Sequence, residues 1–125
     1  MKTLKGKLFV AAAAICFCFI SSSSTAQTAA TKTVTGEVVD MACYMANGAK
    51  GEEHKSCAAG CIKGGSPMGV LTDDGQLYLL VENHDKQDAY ASAKKYAGEQ
   101  ITVSGDFKTK GGVQSIVVND VKGKE

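Results

Sequence analysis

One short segment of the chain, from Cys43 to Cys61, holds an imidazole and three thiols. His54, Cys57 and Cys61 have the spacing i, i+3 and i+7, which places their side chains on one face of a helix. Cys43 lies upstream, between two nearby methionines. These groups are candidates for a soft-metal site or for a disulfide with a spare thiol, and the pattern leaves both open.

The first 26 residues have the composition of a secretory signal peptide. A basic start precedes an apolar run at residues 8–20, which is too short to span a bilayer comfortably. The small residues at 24–26 match a cleavage pattern, so we predict cleavage before Gln27. No cysteine follows that point directly, which argues against a lipoprotein. We expect an exported protein, periplasmic or extracellular, with no membrane span after signal cleavage.

The mature chain is predicted to comprise a flexible leader at 27–32 and a single domain at 33–125. Removing three signal-peptide lysines from 14 leaves 11 lysines against 13 acidic residues, and the chain has no arginine. A nucleic-acid-binding protein is expected to be basic and to use arginine on phosphates and guanines. The composition therefore argues against nucleic acid as a partner.

The number of cysteines limits how they can pair. Two of the five cysteines, Cys16 and Cys18, leave with the signal peptide, and three remain. An odd number in an exported protein means that at least one thiol is free, bound to a metal or paired between chains.

Hydrophobic periodicity predicts a mainly β domain with two helices. β-branched, alternating runs and turn signals predict five strands at 33–40, 68–72, 76–81, 101–107 and 113–121. The helices are expected at 52–62 and 85–96, and residues 41–51 are expected to be irregular. This order predicts a five-stranded OB-like Greek-key barrel, with the Cys/His helix inserted between strands one and two. Gly36 and Gly105 fit the bends of such a barrel. The alternative is an open α+β sheet with both helices on one side.

Spaced motifs cover nearly all of the mature chain. They are Gly36-x-Val38-Val39-Asp40-x-x-Cys43-Tyr44, His54-x-x-Cys57-Ala58-x-x-Cys61, Gly65-x-Pro67-x-Gly69-x-Leu71, Gly75-x-x-Tyr78-x-Leu80 and Tyr96-Ala97-Gly98 with Ile101-x-Val103-x-Gly105. In these motifs the chain resembles a group of small exported bacterial proteins with an OB-like fold and a Cys…His-x2-Cys-x3-Cys motif. The resemblance implies an architecture and a shared Cys/His set, but no substrate and no particular metal.

The leading functional interpretation is a soft-metal site. Thiolate and imidazole are the ligands of tetrahedral zinc and of Cu(I). The predicted ligands are Cys43, His54, Cys57 and Cys61. Thioethers favour Cu(I), so three methionines are further candidate ligands: Met41, Met45 and Met68. We therefore predict a protein that binds copper or zinc. Asp40, at the end of strand one, is expected either to orient His54 or to cap the strand end.

Two other interpretations use the same cysteines. A bridge from Cys43 to Cys57 or Cys61 would stabilise a small exported domain by about 2–4 kcal/mol. The chain would then be a disulfide-stapled interaction module that docks a protein partner and binds no metal. A thiol redox protein is a third interpretation, although C-x3-C is not the C-x-x-C of thioredoxin-like enzymes. Known catalytic motifs are absent from the sequence, which favours a binding protein over an enzyme.

Overall fold

The structure, a computed structural model, describes residues 30–124. The predicted signal peptide and the first residues of the predicted leader lie outside the described residues. Within the described range the protein is mainly β, with five strands in one sheet and three α-helices. Mainly β character and five strands confirm the prediction, whereas the number of helices differs from it.

The five strands form a single closed sheet. They are β1 (Thr31–Asp40), β2 (Met68–Leu71), β3 (Leu77–Val81), β4 (Gln100–Lys110) and β5 (Val113–Gly123). Their order around the barrel is β1-β2-β3-β5-β4. β4 pairs with β1 to close it, and all pairs are antiparallel except β3 with β5. The open-sheet alternative is therefore wrong.

Alternating apolar residues fill the barrel interior. Because successive side chains of a strand point to opposite faces, one set from each strand is buried together. The fully buried members include Val38, Val70, Ile101, Val103, Ile116 and Val118. Burial of this shared apolar face is what makes the alternation in the sequence a reliable strand signal.

Two glycines allow neighbouring strands to approach closely. A side chain at Gly36 would collide with the backbone of Leu71, and one at Gly105 would collide with the backbone of Val117. The register between β4 and β5 shifts between Ser104 and Gly105, as at a β-bulge. Glycine is therefore needed at both positions for close strand approach, and the irregularity in strand pairing lies beside Gly105.

Two α-helices lie between β1 and β2. They are α1 (Met41–Asn47) and α2 (Lys55–Lys63), and a 3-10 turn at Glu52–His54 leads into α2. The prediction that residues 41–51 are irregular is wrong over α1. The Asp40 side chain accepts hydrogen bonds from the first turn of α1, and Gly48 caps the C-terminal end of the helix. A seven-residue helix is too short to form by propensity, so this cap and its tertiary surroundings decide it.

The third helix, α3 (Gln87–Ala93), continues as a 3-10 turn at Lys94–Tyr96. Together they occupy most of the predicted helix at 85–96, between β3 and β4. In residues 30–124 no helix has the length and apolar character needed to cross a bilayer.

α2 packs directly on the barrel. Its Ala58 and Ile62 side chains are buried in the core. At Gly98 the backbone has φ +72°, and a side chain there would lie 2.8 Å from the Cα of Lys55. The ammonium of Lys55 is 2.9 Å from a carboxylate oxygen of Glu99. These contacts determine where the cysteines of α2 lie relative to β1.

Candidate metal centre

All four predicted Cys/His ligands lie in the segment between β1 and β2. Cys43 is in the first turn of α1, and His54 ends the 3-10 turn. Cys57 is in the first turn of α2 and Cys61 is in its last turn. The two short helices therefore carry all the thiols of the described chain, and the barrel holds those helices in place.

Three of the predicted ligands form a compact group, which we call the His54 group: Cys43, His54 and Cys57. The two Sγ atoms and a ring nitrogen all lie within 4.8 Å of one another. Ligand atoms around tetrahedral zinc are roughly 3.5–3.8 Å apart, as follows from Zn–S and Zn–N bond lengths. The three atoms therefore lie at most about 1 Å farther apart than the ligands of one zinc ion.

The imidazole of His54 is poised for a ligand. Its Nε2 atom is buried and has no hydrogen-bond partner among the described residues. Buried polar atoms in proteins are nearly always hydrogen-bonded or bound to an ion. An ion bound at this nitrogen would give the imidazole a partner that the described residues do not provide.

A second compact group, the Asp40 group, consists of Asp40, Cys43 and Cys61. A carboxylate oxygen and the two Sγ atoms again lie within 4.8 Å of one another. Cys43 belongs to both groups, whereas Cys61 is grouped with Asp40 and not with His54. The structure thus brings all four predicted ligands into one neighbourhood but divides them into two overlapping sets.

Asp40 organises the base of this neighbourhood. It is fully buried and accepts hydrogen bonds from the backbone N–H groups of Ala42, at 3.1 Å, and Cys43, at 3.3 Å. The hydroxyl of Ser66 donates to it as well. Burial raises the pKa of Asp40, but the hydrogen bonds from Cys43, Ser66 and the backbone outweigh burial and lower the pKa to about 2.

Asp40 ends β1 and caps the N-terminus of α1, a helix that the sequence did not predict, and among the described residues it has no hydrogen bond with His54. Its hydrogen bonds in the described chain go to α1 and to Ser66, not to His54. The backbone N–H of Ser66 donates to the carbonyl of Cys61 at 3.0 Å. Asp40 therefore ties the end of β1 to the start of α1 and to the end of α2.

Two thiols have raised pKa values. The hydrogen bond from the Cys43 thiol to Asp40, together with burial and the nearby negative charge, raises the pKa of Cys43 to about 12. Burial, followed by the neighbouring Cys57 thiol, raises the pKa of Cys61. Both groups are neutral thiols in the metal-free protein at neutral pH, so a metal ion has to displace their protons.

No disulfide joins the cysteines between residues 30 and 124. Cys57 is exposed, and Cys43 and Cys61 are partly buried. The site is thus open to solvent on the side of Cys57 and closed by the barrel on the side of Asp40.

The three methionines have different surroundings. Met68 is fully buried in the barrel core, and the sulfur of Met41 packs against Gly69. Met45 is 68% exposed. These positions favour a packing role for Met68 and Met41.

Ser66 is the part of the site that sequence reasoning missed. It follows two glycines in a predicted turn, and nothing in its local sequence distinguishes it from an ordinary turn serine. Ser66 comes close to the carboxylate of Asp40 only because Asp40 of β1 pairs with Met68 of β2.

Comparisons of the chain with protein-family models, with curated proteins and with solved structures found no match. The geometry of the two groups is therefore the basis for a functional proposal.

Proposed function

We propose that this protein binds a soft metal ion, copper or zinc, through Cys43, His54 and Cys57. Cys61, the fourth ligand predicted from the sequence, lies beside this group and is grouped with Asp40 and Cys43. One observation carries the proposal. Two Sγ atoms and a ring nitrogen converge within 4.8 Å, and Nε2 of the same imidazole is buried without a partner. Thiolate and imidazole are the donors that zinc and Cu(I) prefer.

The chemistry of binding follows from the protonation of the thiols. Each coordinating cysteine loses its proton when the ion binds, so protons compete with the metal and affinity falls as pH falls. The exposed side of the site, at Cys57, lets an ion enter without opening the barrel. The buried side keeps Cys43 in place through the capped first turn of α1.

We further propose that the barrel is of the OB type and that the protein belongs with the small exported bacterial proteins it resembles. A five-stranded barrel with strand order β1-β2-β3-β5-β4 and a helix between β3 and β4 supports the first point. The signal-peptide pattern of residues 1–26 supports export to the periplasm or the extracellular space.

The alternatives have less support. A disulfide staple is not formed among the described cysteines. A redox-active cysteine needs a lowered pKa, whereas the pKa values of Cys43 and Cys61 are raised.

The test is a count of bound metal. The reduced, metal-stripped protein is titrated with zinc and, separately, with Cu(I) under anaerobic conditions, and bound ions are counted by native mass spectrometry. We expect His54→Gln and Cys57→Ser each to lose an ion that the unmodified protein binds.

The chain offers a matched control in its second histidine. His84 is exposed and lies outside both groups, so His84→Gln should bind as many ions as the unmodified protein. Unchanged metal content in both His54→Gln and Cys57→Ser would overturn the proposal.

A further inference from the structure

Asp40 is a fully buried carboxylate without a cationic partner. In residues 30–124 the ion pairs are those of Lys55 and Lys122, and neither lysine pairs with Asp40. Buried charges in proteins are usually paired with an opposite charge or bound to a metal ion. The hydrogen bonds to α1 and Ser66 satisfy the oxygens of Asp40 but bring no positive charge.

The two nearest candidate metal ligands are sulfurs. A carboxylate oxygen of Asp40 and the Sγ atoms of Cys43 and Cys61 lie within 4.8 Å of one another. We propose that the Asp40 group is a second metal position, which takes a zinc-like divalent cation and shares the sulfur of Cys43 with the ion of the His54 group. This inference rests on the proposed function, because Cys43 serves both ions.

The balance of charge supports two ions. One divalent cation in the His54 group is balanced by the thiolates of Cys43 and Cys57, while Cys61 stays a neutral thiol and Asp40 keeps an uncompensated negative charge beside the barrel core. A second divalent cation is balanced by Asp40 and the deprotonated Cys61, so two ions leave no uncompensated charge.

The carboxylate also bears on which metal is bound. Cu(I) prefers sulfur and nitrogen ligands, whereas zinc accepts carboxylate oxygen together with thiolate. Cys61, which the sequence grouped with His54, then serves the second ion. The two positions differ accordingly: the His54 group suits a soft ion, and the Asp40 group suits a divalent one.

Zinc stoichiometry tests this inference. Native mass spectrometry and titration of the reduced, metal-stripped protein should give two zinc ions per chain. Asp40→Asn keeps a good helix N-cap but removes the charge, and it should bind one zinc ion. The matched control is Asp74→Asn, which removes an exposed carboxylate and should still bind two.

Cys61→Ser is an independent variant of the second metal position and should bind one zinc ion. The double variant that also carries His54→Gln should bind none. Circular dichroism shows whether each variant is folded. A single zinc ion in the unmodified protein overturns the second position. Two zinc ions retained by both Asp40→Asn and Cys61→Ser overturn it as well.

Failure of this inference is distinguishable from failure of the proposed function. One zinc ion that is lost in His54→Gln supports the proposed function and refutes the second position. No zinc refutes the second position, and the Cu(I) titration then decides the proposed function by itself.

Discussion

The barrel and the segment between β1 and β2 are held together in different ways. The barrel is closed on itself and filled by apolar side chains from all five strands. The segment contributes only Ala58 and Ile62 to the buried apolar core. Its position depends on the Asp40 cap, a close contact at Gly98 and an ion pair at Lys55. Most of the apolar core and the candidate metal ligands thus lie in separate parts of the domain.

Truncating a core residue should have the largest effect on the barrel. Ile116 is fully buried, so Ile116→Ala should lower the free energy of unfolding by about 2–5 kcal/mol through lost burial and a residual cavity. Chemical denaturation followed by circular dichroism measures this loss in the free energy of unfolding. Val113, which is 50% exposed, provides the control Val113→Ala. An equal loss in both variants would contradict the importance of core burial for the stability of the barrel.

Metal binding should stabilise the segment more than the barrel. At a free zinc concentration of about 100 times Kd, linkage predicts about 2.7 kcal/mol of added stability. Hydrogen exchange should slow most in residues 41–63, because their local opening breaks the site. Hydrogen-exchange mass spectrometry of the metal-free and the zinc-loaded protein measures how much exchange slows in each segment. Uniform slowing across β4 and β5 would show instead that barrel and segment open as one unit.

A side chain at Gly98 should loosen α2. Gly98→Ala forces an alanine into a left-handed backbone conformation and against Lys55, so we expect a loss of about 1–3 kcal/mol. Gly75→Ala is the matched control, because Gly75 has φ +81° but nothing near its side-chain position. The difference between the two unfolding free energies measures the contact with α2. Equal losses would mean that backbone strain alone accounts for the effect.

Acid should weaken the cap of α1. The folded-state pKa of Asp40 is lowered from 3.8 to about 2. Its contribution to stability is therefore present above pH ~4 and is lost as pH falls toward ~2. The metal-free protein should lose stability over this range, and Asp40→Asn should lose less. Urea denaturation at several pH values measures the difference, and identical profiles for the two proteins would contradict the cap.

Sequence reasoning predicted the barrel strands because their signal is local. Alternation of buried and less buried positions appears in β3, β4, β5 and most of β1, whereas the short strand β2 is buried at all four positions. The first strand is an example, because Val34 and Val38 of β1 are both buried. The bounds of β4 and β5 extend beyond the predicted ones, since strand pairing continues past the last apolar residue.

The helix α1 could not be predicted in the same way. It is seven residues long and has no buried residue, so it lacks an apolar stripe. Its formation depends on the Asp40 cap and on the hydrogen bond from the N–H of Met41 to the carbonyl of Pro67, which is 2.9 Å long. Pro67 is distant in sequence and becomes a neighbour only when β1 pairs with β2.

In the candidate site, too, some features follow from the sequence and others only from the tertiary structure. The chain alone determined which groups are available: an imidazole and two thiols at helical spacing, with a third thiol upstream. The tertiary structure decided how they combine, because the distance from Cys43 to α2 depends on barrel packing and not on spacing along the chain. It placed Cys43 between His54 and Asp40, and it grouped Cys61 with a buried carboxylate. Local periodicity encodes elements, but contacts between distant residues form only when the apolar core closes.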